Sequence, residues 1–193
     1  MTELDPVRQQ KIQAILDQEI ADGEGLAAEA RKMIGYLLLE KKGYLPEDVR
    51  KHVAFEVRLG TETAYSHVDF LVSVNGQQAM AIKCAAGSIS SRERQIVAAA
   101  RLLGPFPVPI AVVADPVHAE VLDVRTGKVI GEGFGAIPVR DQLLRILAES
   151  EQKALATEKI EKEKRILLAF DAIQCCVPQG VDGGVQLGEG GKK

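Results

Sequence analysis

The chain of 193 residues is poor in aromatic side chains and in cysteine. Phe, Tyr and Trp together make up 4% of it, and Trp is absent, so the core must be aliphatic. This scarcity also argues against a protein that works mainly by stacking single-stranded bases, because such platforms are built from aromatic rings. Three cysteines, Cys84, Cys175 and Cys176, do not form a disulfide framework and are typical of a cytoplasmic protein with reduced thiols.

Long apolar runs and a strong excess of one charge are also missing. No run approaches the ~20 apolar residues needed to span a bilayer, and the N-terminus has no signal-peptide core. We therefore expect a cytoplasmic protein with no membrane segment. The formal net charge of −3 excludes a generally basic nucleic-acid coat. Residues 51–104 nevertheless carry six basic against four acidic side chains, so a locally basic site is possible.

The patterns that are present divide the chain into four segments. An N-cap, a proline and apolar residues at helical spacing predict an acidic helix within 1–23. Residues 24–137 follow the order helix, three-strand meander, helix, strand and hairpin, which predicts an α/β domain with a mixed β-sheet and flanking helices. Residues 138–177 form a C-terminal helical extension, whose charged middle we expect to project into solvent or to lie against a partner. Residues 178–193 are predicted to be a Gly-rich disordered tail.

Two adjacent strands, joined by a turn at Asn75-Gly76, place a carboxylate and an amine near each other. Asp69 and Lys83 both lie on the face opposite the apolar one, and Glu56 lies on the equivalent face of the preceding strand. The apolar face of the second strand is predicted to consist of Val68, Phe70, Val72 and Val74. Mg²⁺-dependent phosphodiester hydrolysis uses such groups, since Mg²⁺ prefers carboxylate oxygens and a lysine offsets phosphate charge. An exposed sheet face without any function would carry the same residues.

Four short stretches occur in an order that is found in a known family. They are Glu29–Tyr44 (EARKMIGYLLLEKKGY), Phe55-Glu56-Val57, His67–Val72 (HVDFLV) and Met80–Lys83 (MAIK). By these stretches and their order, the chain resembles the N-terminal domain of the R subunit of type I restriction enzymes. The resemblance covers about residues 24–124. The resemblance implies the restriction-endonuclease-like fold of the PD-(D/E)xK nuclease superfamily, with DNA as the substrate and Mg²⁺ as the cofactor.

The resemblance also implies roles for individual residues. Asp69 matches the metal-binding aspartate, and Lys83 matches the lysine of the (D/E)xK element. Glu29 is the best match for an acidic residue on the preceding helix, with Glu40 as a competing match. Gln95 matches the glutamine of a QxxxY element that follows the lysine in many relatives.

Two positions depart from the family pattern. Ala81 stands where the (D/E)xK acid belongs, and Ala99 replaces the tyrosine of QxxxY. Losing one of two carboxylates should weaken Mg²⁺ binding severely, because Mg²⁺ requires octahedral oxygen coordination. Another acid could restore the site. The candidate metal ligands are therefore Asp69, Glu56 and Glu93.

Basic side chains near this constellation are candidates for contact with nucleic acid. Arg92, Arg94 and Arg101 lie on or near the helix that follows the lysine, and they could contact phosphates or simply form a solvated helix face. His67, two residues before Asp69, is either a member of the site or an ordinary surface histidine.

Three functions stay open at this stage. The first is a nuclease-like module with impaired or lost Mg²⁺-dependent DNA cleavage. The second is a catalytically dead scaffold that binds DNA or protein. The third is an adaptor that acts through the helix at 140–175, which could also join copies of the chain in a homo-oligomer. Because no GxxxxGK[ST] loop is present and the length cannot hold a helicase motor, we expect a stand-alone module.

Overall fold

Six strands form a single mixed β-sheet whose spatial order follows the chain. The strands are β1 (Val49–Leu59), β2 (Glu62–Val74), β3 (Gln77–Cys84), β4 (Ile110–Ala114), β5 (Ala119–Asp123) and β6 (Lys128–Glu132). Strands β3 and β4 are parallel and all other neighbours are antiparallel. The parallel pair is joined by α2 (Glu93–Leu102), which is the crossover that parallel strands require. The predicted α/β fold with a mixed sheet and flanking helices is confirmed.

The structure is a computed structural model that describes residues 25–150 and 152–175. The predicted acidic helix at 1–23 and the predicted tail at 178–193 lie outside the described residues. Within the described part of the chain, no helix combines the length and the hydropathy that crossing a membrane requires.

Helices cover both faces of the sheet, so the domain has three layers. Helix α1 (Leu26–Tyr36, continued by a π-helical turn at Leu37–Lys41) and α3 (Arg140–Glu149) share one apolar core with the sheet, through buried residues such as Ile34, Phe70 and Leu143. Helix α2 and α4 (Thr157–Cys175) share the second core on the opposite face, through residues such as Ile96 and Leu167. A doubly covered sheet of this kind is consistent with a restriction-endonuclease-like domain.

Residues at two turns adopt the left-handed backbone conformations that the sequence predicts. Asn75 and Gly76 have φ angles of 52° and 77°, which is the pair of left-handed conformations that a two-residue type I′ hairpin turn requires. Gly43, with φ of 74°, follows the π-helical turn. That turn is closed by a bond from the Lys42 amide to the Leu37 carbonyl, and the sequence does not predict it.

The β1–β2 hairpin is longer than its sequence indicates. The cluster of Gly, Thr and Ser residues over 60–66 favours a turn, but Thr63 and Ser66 lie in β2 opposite Arg58 and Phe55. The strand continues because β1 extends to Leu59 and supplies hydrogen-bonding partners for these residues.

Side chains of β2 do not alternate regularly between the two faces of the sheet. Val68 packs with Val57 in the core of α2 and α4, whereas Phe70 packs in the core of α1 and α3. The prediction of a single face shared by Val68 and Phe70 is therefore wrong. The break lies at Asp69, opposite His52, whose φ of 47° marks the irregularity in β1.

The C-terminal extension consists of two helices that pack on the domain. Leu143 of α3 and Leu167 of α4 are both fully buried. Glu163, in the charged part of α4, is only 1% exposed because it pairs with arginines of α2. The pattern predicts that the charged middle of this extension projects into solvent or lies against a partner, and through Glu163 it lies against α2 of the same chain.

Candidate active site around Asp69 and Lys83

Asp69 and Lys83 lie opposite each other on β2 and β3. The neighbouring pair of Phe70 and Ile82 fixes this register, and Lys83 Nζ lies 3.6 Å from Asp69 Oδ2. The same oxygen accepts a 2.8 Å hydrogen bond from the Cys84 amide. Both side chains are buried, so they do not lie on an exposed polar face. The structure thus brings together the two residues that the resemblance places in the site.

Arg31 of α1 is a third member of the site, and no motif in the sequence predicts it. Its Nη1 lies 3.6 Å from Asp69 Oδ1, and its side chain is 15% exposed. Helix α1 is held to the sheet by Ala28 and Ile34, both buried, and Arg31 lies three residues from each, at the margin of this apolar stripe. That margin is the only sequence signal that could have identified it.

His67 links the buried pair to the surface. Its Nε2 lies 2.6 Å from Lys83 Nζ, in a partly buried contact, although much of the residue is exposed. Burial, and then the charge of Lys83, lower the pKa of His67. The imidazole is therefore neutral, and its Nε2 accepts a hydrogen bond from Lys83 Nζ. Burial also lowers the pKa of Lys83, and the charge of Asp69 partly opposes this shift. The neutral His67 therefore lies between solvent and the buried Lys83.

Ala81, the residue that replaces the motif acid, is fully buried. It pairs with Leu71 of β2 and with Ala111 of β4. It lies on the face shared with Lys83, two residues away, and diagonally across from Asp69. A methyl group therefore occupies the position from which a carboxylate would face Asp69.

Glu56 does not replace this carboxylate. It lies opposite Tyr65, four residues or ~13 Å along β1 from the position that faces Asp69. Its carboxylate is exposed and lies 2.8 Å from Arg58 Nη2. The prediction of Glu56 as a metal ligand beside Asp69 is wrong, because the hairpin extends farther than the sequence indicated.

The other predicted acids lie on other elements. Glu93 lies beside Glu120, whose pKa it raises, and β5 with Glu120 is separated from β2 by two strands. Glu29 is exposed in the first turn of α1, and Glu40 belongs to the π-helical turn. Among the described residues there is no group of three or more His, Cys, Asp or Glu side chains that could hold a metal ion. Glu93 is therefore not a second ligand beside Asp69.

Gln95 and the three arginines have different surroundings. Gln95 is buried, and its Oε1 accepts a 3.2 Å hydrogen bond from Arg92 Nη1. The charge of Arg92 contributes to the lowered pKa of Lys83, which places this arginine near the site. Arg94 is 43% exposed and pairs with Glu163. Arg101 is buried, with bonds to Glu163 and to two backbone carbonyls, so its prediction as a phosphate contact is wrong.

The comparison with protein families now assigns the chain. The family described as type I restriction enzyme R protein N terminus matches residues 28–138. The chain belongs to this family. The match begins in α1 and ends just before α3, and it includes the whole sheet with Asp69, Lys83 and Arg31. Helix α4 lies beyond it. No curated protein and no solved structure matches the chain.

The Mg²⁺ ion that the resemblance to R-subunit N-terminal domains implies does not fit these side chains. Mg²⁺ prefers oxygen ligands in near-octahedral geometry, and Asp69 is the one acid at this position among the described residues. Its two oxygens face Arg31 and Lys83, each at 3.6 Å. Two cations thus lie next to the one carboxylate, and their charge opposes the binding of a metal ion there.

Proposed function

We propose that this member of the R-subunit N-terminal family binds DNA and has lost Mg²⁺-dependent cleavage. The proposal rests mainly on Ala81, which provides a methyl group where a second carboxylate is needed. An enzyme that loses a metal ligand loses on the order of several kcal/mol of transition-state stabilisation. The placements of Glu56 and Glu93 support the proposal, since neither acid lies beside Asp69.

The basic side chains of the site support DNA as the ligand. Arg31 and Lys83 each lie 3.6 Å from Asp69, the charge of Arg92 acts on Lys83, and the exposed His67 leads to this buried pair. Phosphate contacts supply most of the sequence-independent affinity of proteins for DNA. The acidic total charge of the chain does not oppose this binding, because physiological salt screens the charges that lie far from the ligand.

The adaptor function through residues 140–175 has less support. The apolar side chains of this segment that would face a partner, such as Leu143 and Leu167, are buried against the chain's own sheet. A partner would have to use the exposed remainder of α3 and α4.

The test measures DNA binding and DNA cleavage on the same protein. Fluorescence anisotropy with a labelled duplex, in EDTA and in Mg²⁺, should give equal affinities. Supercoiled plasmid in Mg²⁺ or Mn²⁺ should stay intact with both the wild type and Asp69→Ala. Nicking that depends on Asp69 would contradict the loss of cleavage. Absence of binding at low salt would contradict the DNA ligand and favour the adaptor function.

A second test restores the missing acid. Ala81→Glu should gain Mn²⁺ affinity in calorimetry, because its carboxylate would project beside Asp69, while the isosteric Ala81→Gln should not. Thermal unfolding of both variants controls for the burial of a larger side chain. If Ala81→Glu folds and gains no affinity over Ala81→Gln, then the assignment of Ala81 to the acid position is wrong.

A further inference from the structure

We propose that a cleft remote from Asp69 and Lys83 binds a small molecule that carries phosphate groups on an apolar body, such as a nucleoside triphosphate. The cleft lies between α2, the end of β5 and the segment that joins α3 to α4, and it extends to the first turns of α4. It consists of two neighbouring cavities, which share Arg101 and Lys159 in their walls. The inference does not depend on the proposed binding of DNA.

The cleft lies at the opposite end of the sheet from the site around Asp69 and Lys83. Lys83 lies opposite Val113, near the end of β4, whereas Pro109 in the wall of the cleft directly precedes this strand. The step of four residues from Pro109 to Val113 corresponds to ~13 Å along an extended chain. The cleft is therefore a separate site.

The first cavity provides space and apolar surface. Its volume is about 600 Å³, which lies within the range of ~300–1,000 Å³ that is usual for sites of small molecules. Its walls include Pro107, Pro109, Val124 and Leu155. Apolar walls of this kind contribute affinity by removing the non-polar surface of a ligand from water. The cavity therefore fits the body of a small molecule.

The second cavity provides positive charge. It has a volume of about 610 Å³ and lies between α2, the first turns of α4 and the turn after β5. Arg94, Lys159 and Lys162 line it, and the side chain of Arg94 is 43% exposed. Arginine and lysine are the side chains that bind phosphate groups in proteins. Because both cavities share Lys159, phosphate groups bound here would lie next to the apolar cavity.

The charges of the cleft favour an anion. Six basic and four acidic residues line the two cavities. Two of the acids are already engaged, since Glu163 pairs with Arg94 and Arg101. Asp123 accepts hydrogen bonds from the amide and the hydroxyl of Thr126. Within the described ranges, no hydrogen bond or ion pair engages the side chains of the other four bases, which are Arg125, Lys153, Lys159 and Lys162.

The first experiment measures binding of ATP and of inorganic pyrophosphate to the full chain by calorimetry, in EDTA so that no metal ion contributes. ATP should bind with a Kd below about 1 mM. Pyrophosphate should bind at least about fivefold more weakly, because it lacks a body that could fill the apolar cavity. An undetectable affinity for ATP, or an equal affinity for pyrophosphate, would overturn the inference.

The second experiment compares Lys159→Met with Lys164→Met. Both lysines are half-buried residues of α4, but Lys164 does not line either cavity. Lys159→Met should weaken ATP binding by about tenfold, as expected for the loss of one charge-assisted contact. Lys164→Met should change ATP affinity by less than about twofold. Equal ATP affinities of the two variants would contradict the role of Lys159.

The stability of these variants can be checked by thermal unfolding. Neither Lys159 nor Lys164 forms an ion pair with another residue in the part of the chain that the structure describes. Both variants should therefore keep the unfolding temperature of the wild type without ligand. ATP should raise the unfolding temperature of the wild type and of Lys164→Met more than that of Lys159→Met, because a ligand stabilises the state that binds it. An equal rise in all three proteins would overturn the inference.

A third comparison separates the two cavities. Leu155→Asn should weaken ATP binding several-fold and leave pyrophosphate binding unchanged, because only the nucleoside reaches the apolar wall. Lys162→Met should weaken the binding of both molecules, since Lys162 lines the basic cavity. If Leu155→Asn weakened both molecules equally, the division into an apolar and a basic cavity would be wrong.

Competition with DNA distinguishes this site from a DNA surface. A DNA duplex should not displace ATP, and Lys159→Met should bind a labelled duplex as the wild type does. If the duplex displaces ATP and Lys159→Met weakens both ligands, the cleft belongs to the DNA surface and the inference is wrong. If ATP binds and no duplex does, the proposed function fails and this inference stands.

Discussion

Arg101 of α2 and Glu163 of α4 form an ion pair of 2.8 Å in which neither side chain is more than 6% exposed. Arg101 also donates to the carbonyl oxygens of Val124 and Arg125, and Arg94 pairs with the second oxygen of Glu163. This network joins the C-terminal helix to the sheet domain. Of its members, only Glu163 lies beyond the segment matched by the family, and its pairing fastens α4 over the second core.

We predict that Glu163→Gln destabilises the fold by about 3 kcal/mol, because removal of one partner leaves the charge of Arg101 buried without compensation. Urea unfolding measures the effect. Glu161→Gln is the matched control, since Glu161 pairs with Arg165 at 3.8 Å on the surface and should change stability by less than about 0.5 kcal/mol. Similar losses for the two variants would show that the pair does not hold α4 in place.

The sequence predicts those features of the site that depend on local rules. The Asn75-Gly76 turn predicts that β2 and β3 pair as a hairpin. The register shift between Val72 and Ser73, which brings Asp69 opposite Lys83, has no such local signal. The mixed sheet follows from the order of periodic segments, and Ala81 is identified by its distance of two residues from Lys83.

The features that the sequence does not predict depend on contacts between distant elements. Arg31 reaches Asp69 from another layer of the fold, and no local pattern encodes that contact. The break in alternation at Asp69 arises from the irregular backbone of His52 on the neighbouring strand. Glu163 is one of several acids in a charged helix, and only packing against α2 distinguishes it from its exposed neighbours.

Tyr44 should remain protonated in the folded protein at alkaline pH. It is fully buried, and its hydroxyl donates a 2.8 Å hydrogen bond to the Pro138 carbonyl. Burial, and then the charge of Asp48, raise its pKa. A phenol with a raised folded pKa stabilises the fold below the ordinary value of about 10, and this contribution is lost as pH rises through the folded pKa.

Phenolate absorbance measures this directly. Of the three tyrosines in the chain, Tyr36 and Tyr65 are 46% and 72% exposed, whereas Tyr44 is fully buried. Tyr44 should ionise only when the protein unfolds. In Tyr44→Phe the unfolding step should carry no absorbance change, and the protein should lose about 1–3 kcal/mol because the Pro138 carbonyl is left unsatisfied. A difference in phenolate absorbance between wild type and Tyr44→Phe before unfolding would be incompatible with this placement of Tyr44.

Glu120 should make stability depend on pH in the acidic range. Burial, and then the charges of Glu93 and Glu132, raise its pKa. A carboxyl group with a raised folded pKa stabilises the fold fully below its unfolded pKa of about 4.3, and loses this contribution as pH rises through the folded pKa. Glu120→Gln should therefore be more stable than wild type at neutral pH, and the difference should vanish near pH 4.

Urea unfolding over that pH range tests this prediction. The control is Glu62→Gln, because Glu62 is exposed at the start of β2 and should shift stability equally little at both ends of the range. A Glu120→Gln protein that is no more stable than wild type at neutral pH would contradict the predicted repulsion.

Gly131 should not tolerate a side chain. A Cβ atom added there would lie 2.8 Å from Cβ of Ala136, which is too close without movement of the backbone of β6 or of the following turn. Gly131→Ala should therefore cost about 1 kcal/mol or more in thermal or urea unfolding. Gly135→Ala is the matched control, since nothing lies within 4 Å of an added Cβ there. A larger loss for Gly135→Ala would contradict the close approach.

Lys83 should give DNA binding an upper pH limit. Burial lowers its pKa, so the ammonium loses its proton below the ordinary lysine value of about 10.4. DNA affinity should fall by about tenfold as pH rises through this lowered pKa, since a charge-assisted contact is lost. Lys83→Arg should keep its affinity over the same range, because the guanidinium stays protonated.

Stability and binding should move in opposite directions in this pH range, which excludes unfolding as the cause of weaker binding. The unfolded chain binds more protons than the folded one between the lowered pKa of Lys83 and the ordinary lysine value, so stability rises with pH there. Anisotropy and urea unfolding at matched pH values separate the two effects. If wild type and Lys83→Arg lose DNA affinity in parallel, the titrating group is not Lys83, and its ammonium does not contact the ligand.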